Sequence, residues 1–185
     1  GATAILDIAT AGAAAPALRA CGLRARCFLE AIELNEEKAT DALAALERRL
    51  ESAARKKGLA WGLSPHAPYT LSPQIAEGIG RLARRRGLPL AIHLAESPAE
   101  LDMLARGEGP LVEAFRRFGV LPAKWRAPGL TPVEWADRAA LLGPATLAVH
   151  CNYLADSDIA ILAKRKTSVV YCPKSHAFFG HPRHP

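Results

Sequence analysis

Four groups of polar residues in this 185-residue sequence stand where apolar runs end: Ser64-Pro65-His66, His93 with Glu96, His150, and Ser175-His176. Imidazoles and carboxylates are the side chains that bind divalent cations and carry protons near neutral pH. The pair His93-x-x-Glu96 is the most specific of these. A histidine on the last residue of a strand can hold a metal, while a carboxylate three residues later reaches over the same pocket from the loop. Such chemistry needs both groups, because water acidified by a metal loses a proton and a leaving group must gain one. The spacing is common alone and gains weight from His66 and His150 at neighbouring strand ends. Each residue also has a plain structural reading: His150 as a core or loop imidazole, His66 as part of a rigid proline-bracketed turn over 64–69, and Glu96 as a carboxylate favoured by a helix dipole. Cys151 and Cys172 read as small buried hydrophobes, and His181 and His184 as residues of a disordered loop rather than ligands.

The elements that must position these groups alternate along the chain. Apolar runs predict strands over 2–8, 26–34, 59–64, 88–93, 145–150 and 167–172, with helices between them, which is the pattern of β-α units around a parallel sheet. Ala39, Ala42, Leu43, Leu46, Leu50, Ala53 and Ala54 follow the spacing of an amphipathic helix, closed by Gly58. Ser72-Pro73, Ser97-Pro98 with Glu100, and Thr131-Pro132 with Glu134 mark helix starts, the last two as Ser/Thr-x-x-Glu capping boxes. The stretch 97–142 exceeds one crossover helix and predicts an elaborated connection of two or three helices. An alanine-rich stretch over 11–17 is the one compositional bias. Six units fit either an open doubly wound sheet or part of an eight-stranded barrel, which needs about 250 residues. The chain starts on a strand and stops in a polar loop, so residues 1–185 are expected to be an internal piece of a barrel domain.

Composition narrows the class. There are 24 basic and 18 acidic residues, a net charge of +6, with 50% hydrophobic residues, which excludes a disordered chain. No apolar run approaches a membrane span and no signal peptide is visible. Basic runs such as Arg48-Arg49, Arg55-Lys56-Lys57, Arg84-Arg85-Arg86 and Arg116-Arg117 read as solvated helix faces without a nucleic-acid motif. Neither nucleic acid nor membrane is expected as a partner. Cys21, Cys27, Cys151 and Cys172 form no Cys-x-x-Cys pair, so free thiols in a reducing, cytoplasmic setting are expected.

Taken together, Ser64-Pro65-His66-Ala67-Pro68-Tyr69-Thr70, Ile92-His93-Leu94-Ala95-Glu96-Ser97, Val149-His150-Cys151 and Cys172-Pro173-Lys174-Ser175-His176 closely resemble the successive strand-end motifs of the amidohydrolase superfamily. The nearest branch is the group of chlorohydrolases and aminohydrolases that includes methylthioadenosine/adenosylhomocysteine, aminodeoxyfutalosine and guanine deaminases and triazine hydrolases. The resemblance implies an α/β fold, a (β/α)8 TIM-type barrel represented here by strands two to seven. It makes His93 the metal-binding histidine of the fifth barrel strand and Glu96 the acid/base carboxylate. His150 becomes the sixth-strand histidine that orients the hydroxide, with an auxiliary metal contact at most. His66 becomes a substrate contact on the fourth strand, and Ser175 and His176 lie near the substrate on the seventh. The bridging carboxylated lysine of binuclear members has no counterpart near His66, which implies one divalent metal, zinc first and iron second.

Two features depart from the family pattern. The His-x-His of the first barrel strand and the Asp of the eighth, both metal ligands there, are not in this sequence, so the segment alone is expected to hold zinc weakly. Many deaminases of the group also carry Ser-Asn where this chain has Ser175-His176. The reaction implied is hydrolytic deamination of a purine-like or related nitrogen heterocycle, a small-molecule partner, with a homo-oligomer compatible with that reading. Chlorohydrolase or cyclic amidase chemistry is the alternative on the same machinery. A non-catalytic barrel that uses its histidines only for packing is the alternative of another class.

Overall fold

A computed structural model describes residues 1–10, 14–55 and 58–185. Residues 11–13 of the alanine-rich stretch and Lys56-Lys57 of one basic run lie outside the described residues. The strands are β1 (Ala4–Ala9), β2 (Arg24–Ala31), β3 (Ala60–Pro65), β4 (Leu90–Leu94), β5 (Thr146–His150) and β6 (Ser168–Val170). The helices are α1 (Ala15–Ala20), α2 (Ala39–Ala54), α3 (Pro73–Arg86), α4 (Pro98–Arg106), α5 (Pro110–Arg117), α6 (Pro132–Arg138), α7 (Asp156–Arg165) and α8 (Pro173–Phe178). All neighbouring strands are parallel and their order is β1-β2-β3-β4-β5-β6. A doubly wound sheet reverses its strand order at a switch point. This sheet never does, so it curls in one direction as six units of a TIM-type half-barrel with helices outside.

Side-chain alternation sets what faces in and out. On β2, Cys27 and Leu29 join the core beneath the helices, together with Trp61 and Leu63 of β3 and Ile92 and Leu94 of β4. Phe28 and Glu30 take the opposite, barrel-facing side, opposite Gly62 and Ser64. Gly62 is there because nothing larger fits: a Cβ would stand 2.5 Å from Phe28 Cδ1 and 2.9 Å from the Pro89 carbonyl.

The helices form for reasons visible in their ends. Ser72 Oγ accepts from the Ile75 N–H at 3.4 Å to start α3, and Gly87 in the left-handed region (φ 61°) ends it. Thr131 and Glu134 form the expected capping box of α6, at 3.1 and 2.9 Å. Arg86 reaches Glu47 and Glu51 on α2 at 3.0 and 3.4 Å, and Arg84 donates to the Ala140 carbonyl at 2.7 Å. The Arg84-Arg85-Arg86 run is thus used between helices.

Several details differ from the sequence reading; α2, for one, ends at Ala54 with Arg55 as its cap, ahead of Gly58. β2 ends at Ala31, not at 34, because its ladder with β3 closes at Ala31 and Pro65. Glu33 then pairs instead with the turn after β3, through Glu33 N–H to Thr70 O (3.0 Å) and Ser72 N–H to Glu33 O (2.9 Å). β6 is three residues long, since Tyr171 already leaves the ladder with β5. The capping box at Ser97 is only half formed: Ser97 Oγ accepts from Glu100 N–H, but the Glu100 carboxylate reaches further back, to Ala95 and Glu96. The 97–142 connection holds three helices, α4 to α6.

Gly62→Ala forces its methyl against a buried ring and a backbone oxygen. Overpacking of this kind costs about 1–3 kcal/mol, so chemical denaturation should show a lower midpoint with an unchanged slope.

A histidine and carboxylate cluster at the strand ends

The sheet register brings the ends of β4 and β5 side by side, with Leu94 opposite His150. Both strands leave the sheet through left-handed backbone: φ is 50° at Ala95, 73° at His150 and 53° at Cys151. The two turns are joined by Cys151 N–H to Leu94 O (2.9 Å) and by the Asn152 and Tyr153 N–H groups to Ala95 O (2.9 and 3.1 Å). This geometry places Glu96 Oε1 3.3 Å from His150 Nε2. The His93 ring stacks on His150, with centroids 5.5 Å apart and planes 28° from parallel. His66 lies on the other side of His93, at 5.0 Å between centroids.

Hydrogen bonding fixes which nitrogens are free. His93 Nδ1 is 3.0 Å from the His66 carbonyl, which can only accept, so Nδ1 carries the proton and Nε2 keeps its lone pair. His66 Nδ1 is 2.8 Å from Thr70 Oγ1, whose own proton goes to the Ala67 carbonyl at 3.0 Å. His66 Nδ1 therefore donates as well and leaves Nε2 open. Orientation of an imidazole through its second nitrogen is the usual support for a metal-binding histidine.

Glu30 is the functional candidate that sequence reasoning missed. Its buried carboxylate accepts from Thr10 Oγ1 at 2.5 Å and stands 4.0 Å from His66 Nε2. Glu30, His66 and His93 each offer one ligand atom, all within 4.8 Å of one another. The available signal was a carboxylate interrupting the apolar run Cys27-Phe28-Leu29-Glu30-Ala31, on the barrel-facing side of β2. Two imidazoles held through Nδ1, with open Nε2 atoms, and a buried carboxylate are a donor set suited to a divalent transition metal.

Burial, followed by the neighbouring His93, holds the His66 imidazole below its ordinary value. Burial also lowers His150, against the opposing pull of Glu96. Both rings are thus neutral at pH 7. Burial pushes the Tyr69 hydroxyl up to about 12 and the Cys151 thiol up to about 12, so neither ionises. All four cysteines are free.

Not every candidate joins the cluster. His176 is buried on α8, where its Nδ1 meets Asn152 Oδ1 at 3.2 Å, and Asn152 Nδ2 donates to the Glu96 carbonyl at 3.1 Å. It therefore reaches the site through the backbone of Glu96. Ser175 is half-buried beside it. His181 and His184 lie in irregular backbone, but not in the disordered loop the sequence suggests: His181 Nδ1 meets Tyr153 Oη at 2.8 Å and His184 Nε2 donates to the His150 carbonyl at 2.9 Å. A cavity of about 560 Å³, lined by Leu34, Pro68, Leu71, Leu104, Trp125 and Trp135 among others, lies beyond the 68–73 segment and includes none of the clustered imidazoles.

A parallel half-barrel with imidazoles and an acid converging at its C-terminal strand ends has the layout of a TIM-type barrel, whose active sites form at that face. Residues 1–181 match the model of the amidohydrolase family, and the chain belongs to that family. It is 36% identical over 157 residues to an aminodeoxyfutalosine deaminase of Deinococcus radiodurans, covering 80% of this chain and 38% of that protein. It is 32% identical over 166 residues to a 5'-deoxyadenosine deaminase of Methanopyrus kandleri, covering 89% of this chain and 34% of that protein. The chain thus spans little more than a third of the length of these relatives. Among solved structures, the aminofutalosine deaminase of Helicobacter pylori superposes with a TM-score of 0.83 at 20% identity, over 95% of this chain and 44% of that one. No helix among the described residues is long and apolar enough to cross a membrane.

The lowered imidazoles make stability depend on pH. A histidine with a folded value below its unfolded one, about 6.5, favours the fold above that pH and loses its contribution as pH falls through the folded value. The melting temperature should fall between about pH 7.5 and about pH 5, and the double variant His66→Gln/His150→Gln should fall less. Thermal unfolding of both proteins across that range measures the difference, and equal pH dependence would refute the neutral pair.

Proposed function

We propose that the protein to which this chain belongs is an amidohydrolase that removes an amino group from a purine-like heterocycle by hydrolysis. The observation that carries the reading is the 3.3 Å approach of Glu96 to His150 beside His93, in a family chain 36% identical to a deaminase. Residues 1–185 are read as strands two to seven of its barrel domain. The free cysteines fit a cytoplasmic setting.

His93 would hold a divalent metal, zinc first, through Nε2, and such an ion lowers the pKa of water it binds. Glu96, with no partner but His150 among the described residues, accepts a proton from the attacking water and passes it to a ring nitrogen or to leaving ammonia. His150, neutral at rest, orients that water and stabilises charge developing on the attacked carbon's substituents. His66 meets the substrate, Ser175 lies near it at the start of α8, and His176 acts on the site from behind, through Asn152 and the Glu96 backbone. The same groups serve displacement of chloride, where only the leaving group differs.

The Glu30, His66 and His93 donor set favours a second reading, in which His66 and Glu30 are themselves ligands. Metal analysis of His66→Ala in the intact protein separates the two. Unchanged metal with a raised KM assigns His66 to substrate, and lost metal assigns it to the ion.

Glu96→Gln in the intact protein should keep metal and fold while turnover of 5'-deoxyadenosine falls by about 10²–10⁴-fold. His93→Ala should lose metal as well as rate. Ammonia release, bound metal and melting temperature measured on the same preparations decide the matter, and near-normal turnover in Glu96→Gln sinks the mechanism.

A further inference from the structure

Glu100 is wholly buried, yet among the described residues it joins no metal-ligand group and makes no hydrogen bond to an imidazole. Its Oε1 accepts from the Ala95 N–H at 3.1 Å and its Oε2 from the Glu96 N–H at 2.8 Å. An ordinary capping box would turn this carboxylate to the N–H of the cap residue, Ser97. Here it reaches past Ser97 to the two residues that carry the loop from β4 to the catalytic carboxylate.

The carbonyls of the same two residues are also taken. Ala95 O accepts from the Asn152 and Tyr153 N–H groups, and Glu96 O accepts from Asn152 Nδ2. All four backbone polar groups of Ala95 and Glu96 are therefore fixed, two of them by one buried side chain. Ala95 sits at φ 50°, a conformation an alanine rarely adopts, so the turn needs an external hold. Burial pushes the Glu100 carboxyl up to about 8 against the pull of the two N–H donors, yet both of its oxygens accept from N–H groups, which is the arrangement of the ionised form. Burying an acid is costly, and an apolar residue would fill the same space. The acid is explained if the turn must be held in one shape.

We infer that Glu100 is a positioning residue for catalysis: its carboxylate clamps the Ala95 and Glu96 amides and so fixes the Glu96 side chain at His150. The inference rests on the deaminase reading, because it gives Glu100 no role except through Glu96. A misplacement of about 1 Å in a reacting group can cost about 10²-fold in rate. Gln in place of Glu keeps the size but presents one acceptor and one N–H₂, so one of the two clamped amides loses its partner.

The test is a double-mutant cycle in the intact, metal-loaded protein, comparing Glu100→Gln, Glu96→Gln and the pair for 5'-deoxyadenosine turnover, with bound metal measured on each. Glu100→Gln should lower kcat by about 10²-fold with KM changed less than about threefold and metal retained. In the Glu96→Gln background the same change should lower kcat by less than about threefold, because the group being positioned is gone. An equal loss in both backgrounds, or no loss in the first, overturns the clamp. Near-normal turnover in Glu96→Gln alone would instead overturn the deaminase reading. Amide exchange in the unsubstituted protein gives an independent check if the Gln variant does not fold. The Ala95 and Glu96 amides should exchange as slowly as those of β4, and exchange at the rate of an exposed loop refutes the clamp.

Discussion

The site depends on one backbone constraint, the pair of left-handed turns with which β4 and β5 leave the sheet. Parallel pairing sets Leu94 opposite His150, and a regular continuation would send the next side chains to alternating faces. The turns at Ala95 and at His150-Cys151 break that alternation and swing Glu96 and His150 toward each other. Such backbone costs about 1–3 kcal/mol per residue. It is offset by the hydrogen bonds that join the two turns and by the buried Glu100 and Asn152 side chains behind them.

Carboxylates of one chemistry acquire different roles through their partners. Glu134 and Asp158 are spent on helix-start N–H groups, Asp158 also taking the Thr131 hydroxyl at 2.6 Å. Glu100 is spent on two loop amides. Glu30 shares one oxygen with Thr10 and turns the other toward His66. Glu96 alone of these has a carboxylate that faces an imidazole and accepts from no other donor among the described residues, so it is the one open to proton transfer. The imidazoles are arranged in parallel fashion: each Nδ1 of His66 and His93 is engaged, and each Nε2 is open.

The helical side of the sheet supplies rigidity to this edge. Ile92 and Leu94 of β4 are fully buried in the outer core, so the strand that carries His93 cannot slide without exposing them. A one-residue slip would turn His93 into that core and its apolar neighbours into the barrel. Register, and through it the spacing of the imidazoles, is thereby tied to hydrophobic burial.

Much of this was determined by the sequence alone. Alternating apolar runs and capped helices specify six β-α units, and His66, His93, Glu96 and His150 stand at strand ends because strand length and turn chemistry are local properties. The strand order, which separates a barrel from a doubly wound sheet, was not local. It follows from which edges pair, a matter of contacts between residues far apart in the chain. The same holds for Glu30, which reads as a lone acid in an apolar run until the β2-β3 ladder sets it against His66. Glu100 reads as half of a capping box, Asn152 carries no signal of its own, and His176 reads as a strand-end residue near the substrate. Only the left-handed turn at Ala95, whose backbone groups need partners once they are out of water, gives Glu100 and Asn152 their place.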